Sequence, residues 1–195
     1  MMERLQKLNT MYQDFKELED MLEFAVKYDG PIMIRYPRGG EGDIKYKSNR
    51  EIEVGKAELL KEGNDITIIA IGKMVQRAME VSNGFSKLGI SCEVINARFI
   101  KPFDNNCVRE SIKKTKNVIT IEDGLLRGGL STTVNEIIAK DEIQEVKIKN
   151  WGYDDEYVKQ GSVSEIEESR GLDTQNIVES WIKDNNYSVR GVANG

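Results

Sequence analysis

The order of apolar and polar positions divides most of this chain into alternating strand and helix patterns. Strand patterns cover residues 66–71, 92–97, 117–121 and 145–148. Amphipathic segments, which predict helices, cover residues 73–88, 104–115, 129–140 and 173–184. Strands that alternate with helices favour a mostly parallel sheet with helices on both faces. The pattern therefore predicts a three-layer α/β/α fold.

One further strand is predicted at the edge of this sheet. Residues 53–60 have a strand pattern, and only residues 61–65 separate them from the strand at 66–71. Such a connection is long enough for a hairpin and too short for a parallel crossover. We therefore expect a five-stranded sheet in which one edge strand is antiparallel, paired as a hairpin with the strand at 66–71.

Apolar residues near the beginning of the chain have a spacing close to a heptad repeat. They lie alternately three and four residues apart, interrupted only at Glu19: Leu5, Leu8, Tyr12, Phe15, Leu22 and Val26. This spacing predicts a helix over residues 3–28, roughly 39 Å long at about 1.5 Å per residue. The helix either ends at Asp29-Gly30 or breaks near Asn9-Thr10. A self-association helix and a frayed or non-native leader are both open interpretations.

Between these two regions, a short apolar strand runs into a turn with two arginines. Residues 32–40 read Ile-Met-Ile-Arg-Tyr-Pro-Arg-Gly-Gly. Pro37 ends the strand because proline cannot continue a central ladder, and the glycines let the backbone approach a ligand closely. The sequence therefore predicts an anion site at the carboxyl end of this strand. Residues 39–50 are polar and predict a linker.

Composition excludes several classes of function. The 195-residue chain has a formal net charge of -5 and no basic run, which argues against a nucleic-acid partner. It has no apolar segment long enough to span a bilayer and no signal-peptide pattern, so we expect a cytoplasmic protein without membrane contact. Histidine is absent, so imidazole from this chain can be neither a general base nor a zinc ligand. Cys92 and Cys107 lack metal-ligand spacing and are expected to be packing residues.

Several motifs resemble, in the same order, those of 1-deoxy-D-xylulose-5-phosphate synthase, a thiamine-diphosphate enzyme family of the transketolase superfamily. The resemblance covers residues 14–183, and residues before Asp14 do not match. The most specific block is Asn-Ala-Arg-Phe-Ile-Lys-Pro-Phe-Asp at residues 96–104. The other blocks are residues 14–18, 29–31, 35–39, 54–58, 69–72, 121–124, 128–129, 157–162 and 171–173.

The resemblance implies that the chain is the C-terminal part of such a synthase, which converts pyruvate and glyceraldehyde 3-phosphate to 1-deoxyxylulose 5-phosphate and CO₂ for isoprenoid synthesis. It implies three regions: a remnant of the pyrimidine-binding domain with the linker at 1–48, a transketolase C-terminal domain at 49–184, and a tail at 185–195. In this family a Gly-Asp-Gly motif holds thiamine diphosphate and Mg²⁺, and a glutamate of another domain activates the cofactor. Neither is present here, so we expect no cofactor or metal bound by this chain alone, and no activity alone.

The resemblance also assigns a substrate-binding residue. Arg38 matches the arginine that helps to hold the phosphate of glyceraldehyde 3-phosphate, and guanidinium binds phosphate through paired hydrogen bonds. Arg35 is a weaker candidate, because an arginine within a strand more often forms a structural ion pair. No catalytic residue is expected in this chain.

Two acidic segments are further candidates for a site. Glu122-Asp123-Gly124, ahead of Gly128-Gly129, joins a strand to a helix, but its carboxylates would repel a phosphate, which favours a capping and packing role. Residues 154–156 have no calcium-loop spacing and favour a helix start. Trp151 and Trp181 are expected to pack against the sheet.

Three functional hypotheses remain open at this point. The first is the C-terminal part of the synthase. The second is a stand-alone interaction or regulatory module that dimerises through residues 3–28. The third is the C-terminal subunit of a split transketolase-type enzyme, whose partner chain carries the thiamine-diphosphate-binding domains. We expect a homodimer, as the family implies.

Overall fold

The computed structural model describes residues 8–35, 51–158 and 160–185. The elements in these ranges are, in chain order, β1 (Leu8–Met11), α1 (Phe15–Lys27), β2 (Ile32–Arg35), β3 (Glu58–Lys61), β4 (Ile66–Ala70), α2 (Met74–Lys87), β5 (Cys92–Asn96), β6 (Phe99–Lys101), α3 (Asn105–Thr115), β7 (Asn117–Leu125), α4 (Leu130–Lys140), β8 (Lys147–Tyr153), α5 (Val163–Ser169) and α6 (Thr174–Asn185).

The larger sheet has five strands in the order β3-β5-β4-β7-β8. All of its neighbouring pairs are parallel except β3 and β5. Helices α2 and α6 pack in the hydrophobic core on one face, and α3 and α4 in the core on the other face. The predicted three-layer fold with one antiparallel edge strand is therefore confirmed.

Strand β4 shows why the apolar runs become central strands. All of its residues are buried. Ile66 and Ile68 belong to the core with α2 and α6, whereas Ile69 belongs to the core with α3 and α4. A strand covered on both faces needs apolar residues at successive positions. Trp151 and Trp181 lie in the first core, as predicted.

The predicted hairpin between residues 53–60 and 66–71 is wrong. Strand β3 is antiparallel, but it pairs with β5, with Glu58 opposite Asn96. The reason is that β4 already has parallel neighbours on both sides, β5 and β7. The connection from β3 to β4 therefore passes the start of β5, where a Cβ on Gly63 would lie 2.1 Å from the backbone carbon of Cys92.

The predicted single helix over residues 3–28 is also wrong within the described residues. Leu8–Met11 form a strand, and the helix begins only at Phe15, after the cap residue Asp14. Asp14 Oδ1 accepts a hydrogen bond of 2.7 Å from the backbone N–H of Glu17. Strand β1 gains ladder partners on both sides, and this pairing outweighs the heptad-like spacing. Leu5 and residues 3–7 lie outside the described residues.

Strand β1 is the centre of a second, smaller sheet with the order β2-β1-β6. It is parallel to β2 and antiparallel to β6. Only Ala97 and Arg98 separate β6 from β5, so one continuous segment contributes a strand to each sheet. The two sheets therefore meet at Ala97 and Arg98. Among the described residues no helix has the length and apolar character needed to cross a membrane.

Candidate functional site

The carboxyl end of the β1–β2 pair is the described place closest to the predicted anion site. Arg35 is the last residue of β2 and lies opposite Met11, the last residue of β1. Its side chain is exposed, and the structural ion pair expected for it is not formed with any described residue. Arg38 follows three positions later and lies outside the described residues, together with Pro37, Gly39 and Gly40.

The end of β1 lies directly against the end of β4. Gly72 follows β4 with a φ of +61°, and a Cβ there would be 2.1 Å from the sulfur of Met11. Glycine suits this contact, because other residues rarely adopt this backbone conformation and a Cβ would require the Met11 side chain to move. The carboxyl ends of strands from both sheets therefore come together.

A buried polar network holds these two strand ends in place. We call it the junction cluster and define it by five residues: Gln13, Glu17, Glu58, Asn96 and Arg98. Between 0% and 7% of each residue's surface is exposed. The cluster joins the segment from β1 to α1, strand β3, and the segment from β5 to β6.

Arg98 is the centre of the junction cluster. Its Nε donates to Glu17 Oε1 at 2.7 Å, and its Nη2 donates to Glu58 Oε2 at 2.7 Å. Its Nη1 also donates to the carbonyl oxygen of Glu51 at 3.1 Å. One guanidinium thus connects α1 of the small sheet to β3 of the large sheet. Charge-assisted hydrogen bonds of this kind are strong when buried.

The backbone of Arg98 makes a second set of contacts. Its carbonyl oxygen accepts from Thr10 Oγ1 at 2.7 Å and from the Met11 N–H at 3.1 Å. Its own N–H donates to Asn96 Oδ1 at 3.0 Å. Arg98 has a φ of +52°, a conformation that residues with a Cβ rarely adopt. The surrounding contacts stabilise this backbone conformation.

Gln13 connects the junction cluster to the end of β1. Its side-chain oxygen accepts from Asn96 Nδ2 at 2.8 Å, and its N–H donates to Glu17 Oε2 at 2.8 Å. Its side-chain nitrogen is buried and has no hydrogen-bond partner within the described part of the chain. Buried donors of this kind are normally satisfied, so this nitrogen is an exception in the junction cluster.

The charges of the junction cluster leave Glu17 with a perturbed pKa. Burial, the dominant effect, raises the pKa of Glu17 to about 7, and the nearby carboxylate of Glu58 acts in the same direction. Arg98 and the N–H of Gln13 lower the pKa, but they do not compensate for burial. Two buried carboxylates share the single guanidinium of Arg98, which is consistent with the upward shift.

The Glu122-Asp123-Gly124 segment serves as a helix cap, as predicted, and offers no free anion site. The buried carboxylate of Glu122 accepts from the N–H groups of Leu130 and Ser131 at 2.8 and 2.9 Å. These are the first two residues of α4, so a carboxylate of the chain itself occupies the positive end of this helix.

Asp123 belongs to a compact ion-pair group between α2 and α5. Lys73 Nζ lies 3.1 Å from Asp123 and 2.9 Å from Glu167, and Arg77 lies 3.1 Å from Glu167. Burial lowers the pKa of Lys73, but the two carboxylates outweigh burial and the net shift is upward. The charges compensate one another, so this group is best explained as a structural contact.

The other candidates, which are the acidic residues at 154–156 and the two cysteines, are also explained by structural contacts or burial. Glu156 pairs with Arg170, and Asp155 lies 3.8 Å from Arg127. The described residues contain no group of three or more side chains suited to hold a metal ion. Burial raises the pKa of Cys92 to about 12 and that of Cys107 to about 11, so both thiols stay protonated and are packing residues, as predicted.

Sequence reasoning missed the junction cluster. Arg98 lies in the block at 96–104 that carries the family resemblance, but no role was predicted for it. A usable signal was present, because Arg98 is a charged residue that directly follows Ala97 and directly precedes Phe99. Its partners Glu17 and Glu58 are 81 and 40 positions away, and sequence spacing gives no indication of that contact.

Comparisons with known proteins place these observations in a family. The family described as "Transketolase, C-terminal domain" matches residues 55–177. The chain is 39% identical over 166 residues to 1-deoxy-D-xylulose-5-phosphate synthase 1 of Geobacter sulfurreducens, covering 85% of this chain and 26% of that protein. It is 37% identical over 169 residues to the synthase of Desulfitobacterium hafniense, covering 86% of this chain and 27% of that protein.

Solved structures agree with the fold. A structure described as "Split gene transketolase, inactive beta4 tetramer" matches with a TM-score of 0.81 and 26% identity, covering 92% of this chain and 59% of that chain. Transketolase from Campylobacter jejuni matches with a TM-score of 0.63 and 19% identity, covering 91% of this chain and 26% of that chain, which supports the fold alone. The chain spans about a quarter of the length of its curated relatives. It belongs to the transketolase C-terminal domain family, and the curated proteins to which it is similar are 1-deoxy-D-xylulose-5-phosphate synthases, as the motifs predicted.

Proposed function

We propose that this chain acts as the C-terminal part of a 1-deoxy-D-xylulose-5-phosphate synthase, which forms 1-deoxyxylulose 5-phosphate and CO₂ from pyruvate and glyceraldehyde 3-phosphate. The identity of 39% over 85% of the chain supports this activity over other transketolase-type activities. In this proposal residues 1–48 belong to the pyrimidine-binding domain and linker, residues 49–184 form the C-terminal domain, and residues 185–195 are a tail. The protein acts in the cytoplasm.

The role proposed for this chain is to present Arg38 to the phosphate of glyceraldehyde 3-phosphate. The observation that carries this role is the junction cluster, because Arg98 ties α1 to β3 and thereby fixes the β1–β2 pair against the larger sheet. The chain reaches Arg38 only three residues after the end of β2. A strand end that is fixed in this way can aim an arginine at a substrate held by other parts of the enzyme.

The residues that the structure describes do not fit thiamine diphosphate or Mg²⁺. The sequence contains no Gly-Asp-Gly motif. The described residues contain no cluster of side chains suited to a metal ion. In this proposal the cofactor and the metal are therefore held by the part of the synthase that this chain does not span. Isothermal titration of the purified chain with thiamine diphosphate and Mg²⁺ is expected to give no binding signal, and micromolar affinity would contradict the assignment.

The role of Arg38 is tested in a reconstituted mixture. The chain is combined with the part of the Geobacter sulfurreducens synthase outside its 166 aligned residues, which we call the complementing fragment. Arg38→Ala should raise KM for glyceraldehyde 3-phosphate about tenfold or more, because a hydrogen bond to a charged group contributes about 1.5–3 kcal/mol. The unphosphorylated D-glyceraldehyde should be affected much less.

Arg35→Ala is the matched control. It should change the KM for glyceraldehyde 3-phosphate and the KM for D-glyceraldehyde less than Arg38→Ala does. If Arg38→Ala impairs both aldehydes equally, Arg38 does not bind the phosphate. If the mixture is active and Arg38→Ala has no effect, the assignment of the chain to a synthase stands, but Arg38 does not bind the phosphate.

A split-enzyme arrangement is the second candidate, and one observation favours it. The structure named for a split-gene transketolase matches 92% of this chain at 26% identity. In that case the chain is a separate subunit and binds a partner chain that carries the cofactor domains. The stand-alone module that dimerises through residues 3–28 loses its basis, because β1 interrupts the predicted helix. A homodimer of the complete enzyme stays a prediction.

A further inference from the structure

The turn between α1 and β2 contains an aspartate directly before a glycine. Helix α1 ends at Lys27 and β2 begins at Ile32, and the exposed residues Asp29-Gly30-Pro31 lie between them. An aspartate in this position can form a succinimide ring, because the backbone nitrogen of the next residue attacks the side-chain carboxyl carbon. Glycine favours the attack, since it has no Cβ to shield its nitrogen or to restrict its backbone.

Ring formation and ring opening change only how the main chain is connected. In the first step a bond forms between the Gly30 nitrogen and Asp29 Cγ, the carboxyl group loses its hydroxyl, and the nitrogen loses its proton, so water leaves. In the second step water adds to the ring. Opening at Cγ restores aspartate, whereas opening at the α-carbonyl carbon gives isoaspartate, in which the main chain runs through the side chain. The two steps require no oxidant, reductant or other co-reactant.

The fold does not hold the two reacting groups of Asp29 and Gly30. Within the described ranges, the N–H of Gly30 donates to the carbonyl oxygen of Tyr28 at 3.1 Å, a contact inside the turn itself. The carboxyl group of Asp29 forms no hydrogen bond or ion pair with another described residue. Exposed turns with such local contacts open at a low cost in free energy, so ring formation is accessible from the folded state.

A second Asp-Gly pair lies in a protected position. Asp123 and Gly124 are inside β7, which pairs with β8 before them at Ile121 and after them at Leu125. The carboxylate of Asp123 also lies 3.1 Å from Lys73 Nζ. Ring formation at this pair requires the ion pair and the local strand structure to be lost. The fold therefore slows the same chemistry at Asp123.

An Asn-Gly pair is protected in another way. Asn83 and Gly84 lie inside α2, where the backbone N–H groups donate to the preceding turn of the helix. A Cβ on Gly84 would lie 3.1 Å from a methyl group of Val178 on α6, so this part of α2 is closely packed. Of these three pairs in the described part of the chain, Asp29-Gly30 alone combines an exposed turn with an unpaired carboxyl group.

We propose that Asp29-Gly30 is a modification site at which the folded chain converts to isoaspartate, and that the product is a substrate for an S-adenosylmethionine-dependent isoaspartyl carboxyl methyltransferase. Such an enzyme transfers the methyl group from the sulfonium sulfur to the free α-carboxylate of isoaspartate, so an S–C bond breaks and an O–C bond forms. The exposed turn makes this carboxylate accessible to the enzyme.

The modification lies directly ahead of β2. Isoaspartate adds one carbon atom to the main chain, which lengthens the connection by about 1.5 Å. Ile32 is the first residue of β2 and pairs with Leu8 of β1. The turn has to take up the added length if this pairing is kept, because a change of register would move the side chains of β2 to the other face of the sheet.

The site is tested by ageing the folded chain at neutral pH and physiological temperature and then digesting it with trypsin. Trypsin releases residues 28–35 with Asp29 and residues 117–127 with Asp123 as separate peptides. Electron-transfer dissociation identifies isoaspartate in each peptide, and tritiated S-adenosylmethionine with a purified methyltransferase measures methyl transfer to each peptide of the aged chain. Isoaspartate should accumulate about tenfold or more faster at Asp29 than at Asp123, because local opening of β7 costs additional free energy.

Two controls separate the effect of the fold from that of the dipeptide. In the urea-unfolded chain the two peptides should accumulate isoaspartate at similar rates, since each has an aspartate before a glycine. Asp29→Glu should remove the signal from residues 28–35, because glutamate would have to form a larger ring much more slowly. A thermal melting curve checks that this variant remains folded, and the freshly purified chain gives the background of the digestion.

Three results would overturn the proposal. These are equal rates at Asp29 and Asp123 in the folded chain, isoaspartate at Asp29 in the unfolded chain but not in the folded chain, and isoaspartate at Asp29 that accepts no methyl group. The first result would show that the fold does not select the site, the second that the turn protects it, and the third that the methyltransferase does not recognise it.

Discussion

Replacing Arg98 with methionine removes a positive charge that two buried carboxylates share. Glu17 and Glu58 are 2% and 5% exposed, and each accepts a hydrogen bond of 2.7 Å from the guanidinium. Removal of one partner from a buried ion pair costs about 3–5 kcal/mol, because the remaining charge is left without compensation. Methionine keeps much of the side-chain volume, so the loss is electrostatic rather than a loss of packing. We expect Arg98→Met to lower the free energy of unfolding by about 3–5 kcal/mol at roughly pH 8.

The measurement is urea denaturation followed by circular dichroism. Arg127→Met is the matched control, since Arg127 is 88% exposed, lies 3.8 Å from Asp155, and should change the free energy of unfolding by less than about 0.5 kcal/mol. Adding Glu17→Gln to Arg98→Met should recover part of the loss, because it removes the negative charge of one of the two buried carboxylates that Arg98 contacts. The coupling between the two substitutions should be about 1–3 kcal/mol.

The reasoning would be refuted if Arg98→Met were no more destabilising than Arg127→Met. It would also fail if the effect of Arg98→Met were the same at about pH 5.5 as at about pH 8. The pKa of Glu17 is raised to about 7, so at the lower pH this carboxyl is already protonated and the missing guanidinium matters less.

Three further predictions concern single side chains. Since burial raises the pKa of Glu17 from 4.5 to about 7, the folded chain binds a proton that the unfolded chain releases in this range. The stabilisation that proton binding by Glu17 provides is complete below pH 4.5 and is lost by about pH 7. The free energy of unfolding therefore falls by about 3 kcal/mol over this range. Glu17→Gln should abolish this dependence of the free energy of unfolding on pH, measured by urea denaturation. Glu122→Ala should cost about 1–3 kcal/mol in the same assay, because the buried N–H groups of Leu130 and Ser131 lose their acceptor, and no loss would show that water replaces it. Gly72→Ala should destabilise more than Gly89→Ala, because both have a positive φ but only a Cβ at Gly72 meets Met11, and equal losses would show that the contact relaxes freely.

The larger sheet could be predicted from the sequence because its signals are local. The apolar runs at 66–71 and 92–97 correspond to β4 and β5, and the amphipathic segment at 104–115 corresponds to α3, which Asp104 caps. The same reasoning gave the capping role of the Glu122 segment, because two carboxylates in one loop exclude a phosphate on charge alone. Hydrophobic periodicity and charge are sufficient to predict an element when its structure depends on its own residues rather than on distant partners.

The errors arose where pairing between distant residues decides the structure. Leu8, Tyr12 and Phe15 have helical spacing, but Leu8–Met11 pair with Ile32–Arg35 and with β6, and spacing contains no information about these partners. The hairpin failed for the same reason, because β4 has two parallel neighbours and leaves β3 only the edge of β5. The role of Arg98 depends on carboxylates 81 and 40 positions away.

The block at residues 96–104 connects the family resemblance to the structure, because within nine positions it serves both sheets. Asn96 ends β5 and orients Gln13, Arg98 bridges α1 and β3, and Phe99 begins β6 and is fully buried. Asp104 caps α3 and also accepts from the N–H of Ala57 at 3.1 Å. A change at Asn96, Arg98 or Phe99 should alter how the small sheet lies against the large one, and hence where the strand that precedes Arg38 ends. If Arg38 binds the substrate phosphate as proposed, the segment that carries the family resemblance therefore positions that arginine without contacting the substrate.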